Sequence, residues 1–182
     1  SDAYCMGLSQ NKYHSKLVAE ALGIRCPKGI YIEYDPDAET NYDSIKYELG
    51  RRSLDYPLIV KPNEEGYSMV MAEGGADIEL FSLEEKHRDV FHYEIATLSD
   101  EVAQKISYSA LKLYRHMLCR DFGRLDFRLD KDGEPVLIEI NPRPGLMSGG
   151  PFELCAGKTG RTYDEVLKEI ILNGAARYGI KE

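Results

Sequence analysis

The sequence predicts an α+β fold in which helices cover antiparallel sheets. Two runs of alternating apolar and polar residues flank the dipeptide Asp132-Gly133, which is a strong signal for a β-hairpin. Apolar residues with helical spacing mark three other segments, and the connections between them are short and polar. The resulting order is helix-strand-helix-strand, an ambiguous middle, then helix-strand-strand-loop-helix, which is typical of helices on an antiparallel sheet.

The first predicted element of the chain is a helix at residues 11–23. Its apolar residues have helical spacing, and Gly23 suits the left-handed position that ends many helices. Three further elements are predicted before residue 69: a strand at 29–34, a polar helix at 42–52 and a strand at 56–62. Residues 69–92 show no clear period.

A long helix is predicted from residue 99. Ser99 suits the N-cap, and Asp100 and Glu101 in the first turn complement the helix dipole. Its apolar stripe comprises Val102, Ile106, Ala110, Leu113 and Met117.

A last helix is predicted to begin at a capping box formed by Thr162 and Glu165 and to end at Gly179. Its expected buried face comprises Val166, Leu167, Ile170 and Ile171.

The hairpin has a register that can be derived from its turn. If Asp132 and Gly133 are the two loop residues, Arg124 pairs with Asn141 and Asp126 pairs with Glu139. Because side chains alternate along a strand, these four side chains share one face. The opposite face, toward the core, would comprise Leu125, Phe127, Leu129, Val136, Ile138 and Ile140.

Two carboxylates directly opposite each other destabilise a strand pair, so something must offset the repulsion between Asp126 and Glu139. Either one carboxyl is protonated or a cation lies between them. With the amide oxygen of Asn141, the two carboxylates form a set of hard ligands of the kind that Mg²⁺ takes. Alternatively, Arg124 and Arg128 relieve the charge on a polar outer face. The pattern alone leaves these alternatives open.

The composition is that of an ordinary globular protein, with 182 residues, 43% hydrophobic and 30% charged. This length suggests one domain or two small ones. The net charge of -8 argues against general nucleic-acid binding. No apolar run is long enough to span a membrane, and the first residues lack a signal-peptide pattern. Cys5, Cys26, Cys119 and Cys155 lack C-x-x-C spacing, so reduced thiols in the cytosol are expected rather than a zinc site.

The segments "GRLDF" and "LIEINPRPG" resemble the metal-binding core of the ATP-grasp family, and within it the D-alanine–D-alanine ligase group. Four further segments are similar to that group in the same order: "NKYHSK", "YPLIVKPNEEGYS", "LFSLEEKHRD" and the helix that leads into the hairpin. The resemblance implies an ATP-grasp fold with two α+β subdomains. Residues 1–74 would form the lid-side subdomain with the phosphate-contacting lysines, and residues 75–182 the catalytic subdomain with the hairpin.

The resemblance also implies ATP and Mg²⁺ as cofactors, with Mn²⁺ as an alternative metal. The implied nucleotide-binding residues are Lys12, Lys61, Gly66, Ser68 and Lys86, of which Lys86 would lie near the γ-phosphate. The implied metal ligands are Asp126, Glu139 and Asn141. Arg124 and the backbone N–H of Gly145 would stabilise the oxyanion of a tetrahedral intermediate.

The activity implied by the resemblance is that of an ADP-forming carboxylate–amine ligase. The expected partners are small amino-acid substrates and, as one option, a second copy of the chain, without nucleic acid or membrane. The expected location is the cytoplasm. Two alternatives are a ligase for other amino acids or peptides and a non-catalytic domain that binds nucleotide or metal.

Two features depart from the pattern of the ligase group. The group has an N-terminal α/β domain, and more residues between the positions of Ser68 and Asp77, so we expect these 182 residues to belong to a longer chain. On the substrate side, Tyr67 and His87 replace a serine and a tyrosine, and "LMSGGPFELC" replaces a serine-containing acceptor loop. These replacements motivate the alternative with other amino acids or peptides.

Overall fold

The computed structural model describes residues 1–33, 41–55, 58–64, 69–71, 79–80 and 93–180. Over these residues the chain mixes helices and strands, which confirms the predicted α+β class. The helices are α1 (Ala3–Gln10), α2 (Lys12–Ala21), α3 (Tyr42–Arg51), α4 (Asp100–His116), α5 (Pro151–Lys158) and α6 (Tyr163–Arg177). The strands are β1 (Leu58–Val60), β2 (Met69–Met71), β3 (Glu79–Leu80), β4 (Arg124–Leu129) and β5 (Pro135–Asn141).

The chain divides into two compact units. One comprises Ser1–Arg25 and Phe91–Glu182, and the other comprises Cys26–Val90. The predicted subdomain boundary at residue 74 lies outside the described residues and stays a prediction.

The unit of residues 26–90 contains α3 and an antiparallel sheet in the order β1-β2-β3. The predicted helix at 42–52 and the predicted strand at 56–62 are confirmed by α3 and by the shorter β1. The predicted strand at 29–34 is wrong for residues 29–33, which belong to neither a helix nor a strand, and residue 34 is not described. Tyr31 and Ile32 are about half exposed, so no sheet buries their side chains, and β-propensity without such burial does not form a strand.

The core of the other unit lies where α1, α2 and α4 contact β5. The buried apolar residues there are Cys5, Ala19, Ile24, Leu113, Met117, Cys119, Leu137, Ile140 and Ala156. The predicted apolar stripe of α4 is confirmed, since every member is buried or half-buried. Two polar contacts join these elements: Lys112 Nζ on α4 donates to the carbonyl of Leu22 (2.7 Å), and the N–H of Leu137 donates to the carbonyl of Arg25 (2.8 Å).

The predicted helix ends are confirmed by their caps. Asn11 accepts from the N–H of His14, and Ser99 accepts from the N–H of Val102. Thr162 and Glu165 form the predicted capping box. Gly23 has a φ of +75° and ends α2 in the left-handed conformation.

The predicted buried face of α6 is confirmed in part: Val166, Leu167 and Ile170 are half-buried, but the prediction is wrong for Ile171. None of its residues is fully buried, and Ile171 is 68% exposed. The helix packs against α5, and one helical neighbour covers only part of an apolar stripe.

The hairpin has a longer loop than predicted. The N–H of Gly133 donates to the carbonyl of Asp130, and the N–H of Asp130 donates to the carbonyl of Glu134 (both 3.0 Å). The loop therefore has three residues, 131–133, and Gly133 (φ +79°) takes the left-handed position that such loops need. The side chain of Asp130 also accepts from the N–H groups of Asp132 and Glu134, which favours this turn over the two-residue one.

A β-bulge cancels the shift that the longer loop introduces. Leu129 pairs with Pro135 and Phe127 with Leu137, but Asp126 pairs with Glu139, so Ile138 is the extra residue of β5. The predicted pairing of Asp126 with Glu139 is therefore confirmed, although the predicted loop is not.

The bulge also changes which side chains of β5 face the core. Leu137 and Ile140 are both buried, although they are three positions apart, because the bulge interrupts the alternation of sides. The prediction that Val136 and Ile138 face the core is wrong for the same reason, and both are only half-buried.

The start of β4 is held by packing and by an ion pair. Arg177 on α6 binds Asp121 through two hydrogen bonds, one of them 2.6 Å long, and lowers the pKa of that carboxyl. Phe122 packs edge-on against Phe152 of α5, with ring centroids 6.0 Å apart. A Cβ atom at Gly123 would lie 3.0 Å from the Tyr114 ring, so the backbone approaches α4 more closely than a side chain allows.

Within the described residues, no helix is both long and apolar enough to cross a membrane.

Replacing Gly123 with alanine is expected to lower the free energy of unfolding by about 1–3 kcal/mol, because the new methyl group meets the Tyr114 ring and, at 3.4 Å, the carbonyl of Asn141. Chemical denaturation measures this difference. The matched control is Gly7→Ala in α1, where a Cβ atom meets nothing within 4 Å and stability should rise by roughly 0.5–1 kcal/mol. Equal effects at the two glycines would contradict the close approach at Gly123.

Candidate functional site

The hairpin brings four of the predicted site residues together. Arg124 pairs with Asn141, and Asp126 pairs with Glu139, on neighbouring rungs of the β4–β5 ladder. Because alternate residues of a strand share a face, the side chains of Arg124 and Asp126 lie on the same face of the hairpin. Their partners on β5, Asn141 and Glu139, lie on that face too. The predicted cluster is confirmed as an arrangement of side chains.

An arginine offsets part of the negative charge of the two facing carboxylates. Arg124 donates from Nε to Asp126 Oδ1 (2.8 Å) and from Nη2 to Asp126 Oδ2 (2.9 Å), a bidentate, charge-assisted pair. Nη2 also lies 3.5 Å from Glu139 Oε1. These three side chains are 40%, 37% and 37% exposed, so water and ligands reach them while the protein partly screens them from solvent.

The charge state of Arg124 is fixed by its neighbours. Burial acts to lower the pKa of Arg124, but the hydrogen bond with Asp126 and the charges of Asp126 and Glu139 outweigh it and raise the pKa. Tyr93 contributes a smaller effect in the same direction. Tyr93 was not predicted as a neighbour of the site, because it follows the stretch of sequence that has no clear period.

Asn141 begins the loop that leads away from the hairpin. Its Oδ1 accepts from the N–H of Arg143 (3.0 Å), which makes a local turn of the kind asparagine favours. Pro142 and Pro144 are buried, and they anchor the loop just before Gly145. Gly145 is exposed, and a Cβ atom there would meet nothing within 4 Å, so its backbone borders open space.

Within the described part of the chain, no group of three or more His, Cys, Asp or Glu side chains is placed to hold a metal ion. A metal at the hairpin would therefore bind through the two carboxylates together with the amide oxygen of Asn141. Carboxylate and amide oxygens are ligands that suit Mg²⁺, which usually keeps several waters and needs few protein ligands. The chemistry of the donor set thus fits the metal that the sequence resemblance implies.

The predicted phosphate-contacting residues are spread over both units and the undescribed segments. Lys12 is the first residue of α2, half-buried, in the same compact unit as the hairpin. Lys61 is exposed and follows β1 in the other unit. Gly66, Ser68 and Lys86 lie outside the described residues, and so do the departures at Tyr67 and His87. The roles of these residues stay predictions.

A carboxylate that was not predicted organises the loop after Gly145. Glu153 Oε2, in the first turn of α5, accepts from Ser148 Oγ (2.8 Å) and from the N–H of Gly149 (2.7 Å). The hydrogen bond from the N–H of Gly149 and, with a smaller effect, the one from Ser148 lower the pKa of Glu153 and keep its carboxylate ionised. The signal in the sequence was a Ser-Gly-Gly-Pro run followed by an acidic residue in the first helical turn.

Comparisons with known proteins agree with this arrangement. The sequence profile of the family described as D-ala D-ala ligase C-terminus matches residues 69–172, which is more than half of the chain. A D-alanine–D-alanine ligase of Nitrosospira multiformis is 25% identical over 227 aligned residues, which cover 98% of this chain and 71% of that protein. The alignment is longer than this chain, so the relative contains residues that the chain lacks.

Solved structures show the same fold. A D-alanine–D-alanine ligase of Bacillus anthracis complexed with ATP has a TM-score of 0.67 and 20% identity, over 95% of this chain and 68% of that chain. The D-Ala:D-Ser ligase VanG of Enterococcus faecalis has a TM-score of 0.71 and 17% identity, over 93% of this chain and 63% of that chain. The predicted ATP-grasp fold is confirmed, and the prediction of a ligase is confirmed at the level of the family. The chain therefore belongs to the D-alanine–D-alanine ligase family, whose C-terminal region it matches from residue 69 to residue 172.

Proposed function

We propose that this chain is the catalytic part of an ATP- and Mg²⁺-dependent ligase that joins a carboxylate to an amine through an acyl phosphate and releases ADP. One observation carries the proposal: Asp126 directly faces Glu139, with Arg124 and Asn141 on the adjacent rung of the same hairpin. The family to which the chain belongs supports the same reaction class.

The residue types suit this chemistry. A carboxylate is a poor electrophile, so ATP first phosphorylates it, and the amine then displaces phosphate from the acyl phosphate. Catalysis of phosphoryl transfer is largely a matter of positioning and of charge stabilisation. We assign Arg124 and the N–H of Gly145 to the oxyanion that forms when the amine attacks, and one such donor typically contributes about 3–4 kcal/mol.

The nucleotide and metal sites follow the same assignment. Asp126, Glu139 and Asn141 would hold Mg²⁺ or Mn²⁺, and the bound metal would supply positive charge to the phosphates. We assign Lys12, Lys61, Gly66, Ser68 and Lys86 to the ATP phosphates. The exposure of Lys61 and the position of Lys12 at a helix start are compatible with contacts to an anion.

D-Alanine is the first substrate to consider, because the relatives named above are D-alanine ligases. A second candidate, a ligase for other amino acids or peptides, is favoured by the position of Glu153. If the acceptor binds beside the 146–152 loop, the ionised Glu153 repels an acceptor carboxylate that lies close to it. Glu153 then favours an acceptor whose carboxylate lies farther from the reacting amine. The D-Ala:D-Ser ligase among the structural relatives is a case of a different acceptor on this fold. A cytoplasmic location, a homodimer and the absence of nucleic-acid or membrane partners stay predictions of the resemblance.

The principal test is phosphate release from ATP by the full-length protein with Mg²⁺ and a panel of amino acids that includes D-alanine, L-alanine and D-serine. Glu139→Gln should reduce the amino-acid-dependent rate at least about 100-fold. Replacing a residue that only hydrogen-bonds to a metal ligand already lowers activity by up to about 100-fold, and replacing the ligand itself should lower it at least as much. The matched control is Glu134→Gln in the same hairpin, where the side chain instead pairs with Lys105.

Four outcomes of this test separate the alternatives. Dependence on D-alanine supports the first substrate, and dependence on another amino acid supports the second candidate. Formation of AMP and pyrophosphate contradicts the proposed reaction, and nucleotide binding without release under any condition supports a non-catalytic domain.

A test of the arginine uses stability rather than turnover. Arg124→Met should lower the free energy of unfolding by about 1 kcal/mol, because Asp126 and Glu139 then face each other without a cation. Added Mg²⁺ should raise the melting temperature of this variant more than that of the unchanged protein. The control is Arg128→Met, farther along the same strand. If Mg²⁺ raises the melting temperatures of the two variants equally, Arg124 does not share a site with the metal.

Glu153→Gln tests the acceptor argument, since glutamine keeps an oxygen that accepts from Ser148 and Gly149. The KM for D-alanine should fall by about fivefold, the effect of removing roughly 1 kcal/mol of repulsion. Steady-state kinetics at fixed ATP measure this change. An unchanged KM, with intact folding by circular dichroism, would place the acceptor away from Glu153.

A further inference from the structure

Two cysteines of the chain meet inside the core, far from each other in sequence. Cys5 Sγ on α1 lies 3.2 Å from Cys119 Sγ in the turn between α4 and β4. Cys5 is completely buried, and Cys119 is 9% exposed. Both are free thiols, joined by a hydrogen bond in which either sulfur can donate.

The chain around Cys5 is held against the chain around Cys119 by polar contacts. The side chain of Asp2 accepts from the N–H of Cys5 (3.0 Å) and binds Arg120 Nη2 (3.0 Å). Ser1 Oγ accepts from the N–H of Arg120 (3.1 Å). The two sulfurs are therefore brought together by a fixed arrangement of backbone and not only by their own contact.

The conformation of the turn places Cys119 in that position. The N–H of Leu118 donates to the carbonyl of Arg115, and the N–H of Cys119 donates to the carbonyl of Tyr114, which is the hydrogen-bond pattern of a Schellman helix end. Leu118 takes the left-handed position with a φ of +56°. A leucine there costs conformational energy that glycine avoids, so this turn is held in place by the packing around it.

We propose that Cys5 and Cys119 form a thiol pair that a peroxide oxidises to an intramolecular disulfide. One thiolate attacks the peroxide O–O bond, forms a sulfenic acid and releases the other oxygen as water. The second thiol then attacks the sulfenic sulfur, the S–S bond forms and the hydroxyl group leaves as water. Two electrons pass from the two sulfurs to one peroxide, and both thiol protons end in the two waters.

The surroundings set the rate of this reaction. Burial, and then the hydrogen bond with Cys5, raise the pKa of the Cys119 thiol, so little thiolate is present at neutral pH. Oxidation should therefore be slow and require a small oxidant, since a bulky disulfide reagent does not reach the sulfurs in the folded protein. The proposal does not depend on the proposed ligase function, because neither cysteine belongs to the hairpin site.

The bond would close a loop of more than one hundred residues and tie α1 to the turn that begins the site hairpin. Because long loops lose the most unfolded-state entropy on cross-linking, the melting temperature of the oxidised form should rise on the order of 10 °C. Arg124 is five residues after Cys119, so the bond would also restrain the entry to β4.

The test treats the folded full-length protein with hydrogen peroxide, quenches it, and alkylates the remaining thiols in denaturant. Mass spectrometry of the unchanged protein should show a peptide pair linked through Cys5 and Cys119, lost after reduction with dithiothreitol. Cys155→Ser, at an exposed thiol, is the matched control and should leave the linked pair unchanged, whereas Cys119→Ser should abolish it.

The result that overturns the proposal is full alkylation of Cys5 and Cys119 after peroxide treatment that has already oxidised Cys155. A linkage of either cysteine to Cys26 or Cys155 in the folded protein also contradicts it. These readouts use the unchanged protein, so they stand even if Cys119→Ser does not fold.

Discussion

The repulsion between two carboxylates that face each other on one rung of a hairpin is the constraint on which the site depends. Asp126 and Glu139 face each other with like charges, and Arg124, which binds Asp126 and lies 3.5 Å from Glu139, offsets part of their repulsion. An apolar pair at these positions would make a more stable hairpin, as buried or half-buried charges seldom add net stability. Their presence therefore supports the proposed metal site.

The rest of the unit that contains this hairpin holds it in place from several directions. The backbone of Arg25 binds the bulged part of β5, the Tyr114 ring lies against Gly123, and Arg177 binds Asp121 before β4 begins. Each of these contacts comes from a different segment of the chain. A site built on strands and restrained by its neighbours keeps its side chains within the narrow tolerances that catalysis requires.

The sequence allowed the helices with clear caps to be predicted, and also the pairing that defines the site. Asn11, Ser99 and Thr162 act through local hydrogen bonds, so nearby residues alone decide them. The three-residue loop and the bulge at Ile138 were not predicted, because both turn lengths suit the Asp-Gly pair. The Asp130 side chain favours the longer loop, and Leu137 is buried beside the bulge. The derived pairing of Asp126 with Glu139 was right because two errors of one residue cancelled.

Burial was harder to predict than secondary structure, and α6 and the 29–33 segment show why. Periodicity shows that a residue prefers burial, but whether a neighbour covers it depends on elements far away in the sequence. Ile171 has the correct helical spacing and yet lies on the open side of a helix that packs against α5. The role of Glu153 was missed for a related reason, since its link to Ser148 and Gly149 in the loop after Gly145 depends on where α5 begins.

The charges of the hairpin face also explain why one arginine can serve the protein before and during the proposed reaction. Asp126, Glu139 and Arg124 together carry one net negative charge, which attracts a divalent cation but binds it less tightly than two unpaired carboxylates would. With such a cation bound, these three side chains and the cation together would carry one net positive charge, which suits a polyphosphate and an acyl phosphate. A bound cation would also offset the charge of the carboxylates, which would leave the Arg124 guanidinium available to an oxyanion beside them. A lysine could not replace Arg124 in this scheme, because its single ammonium group lacks the planar fork that binds both oxygens of Asp126 and also reaches toward Glu139.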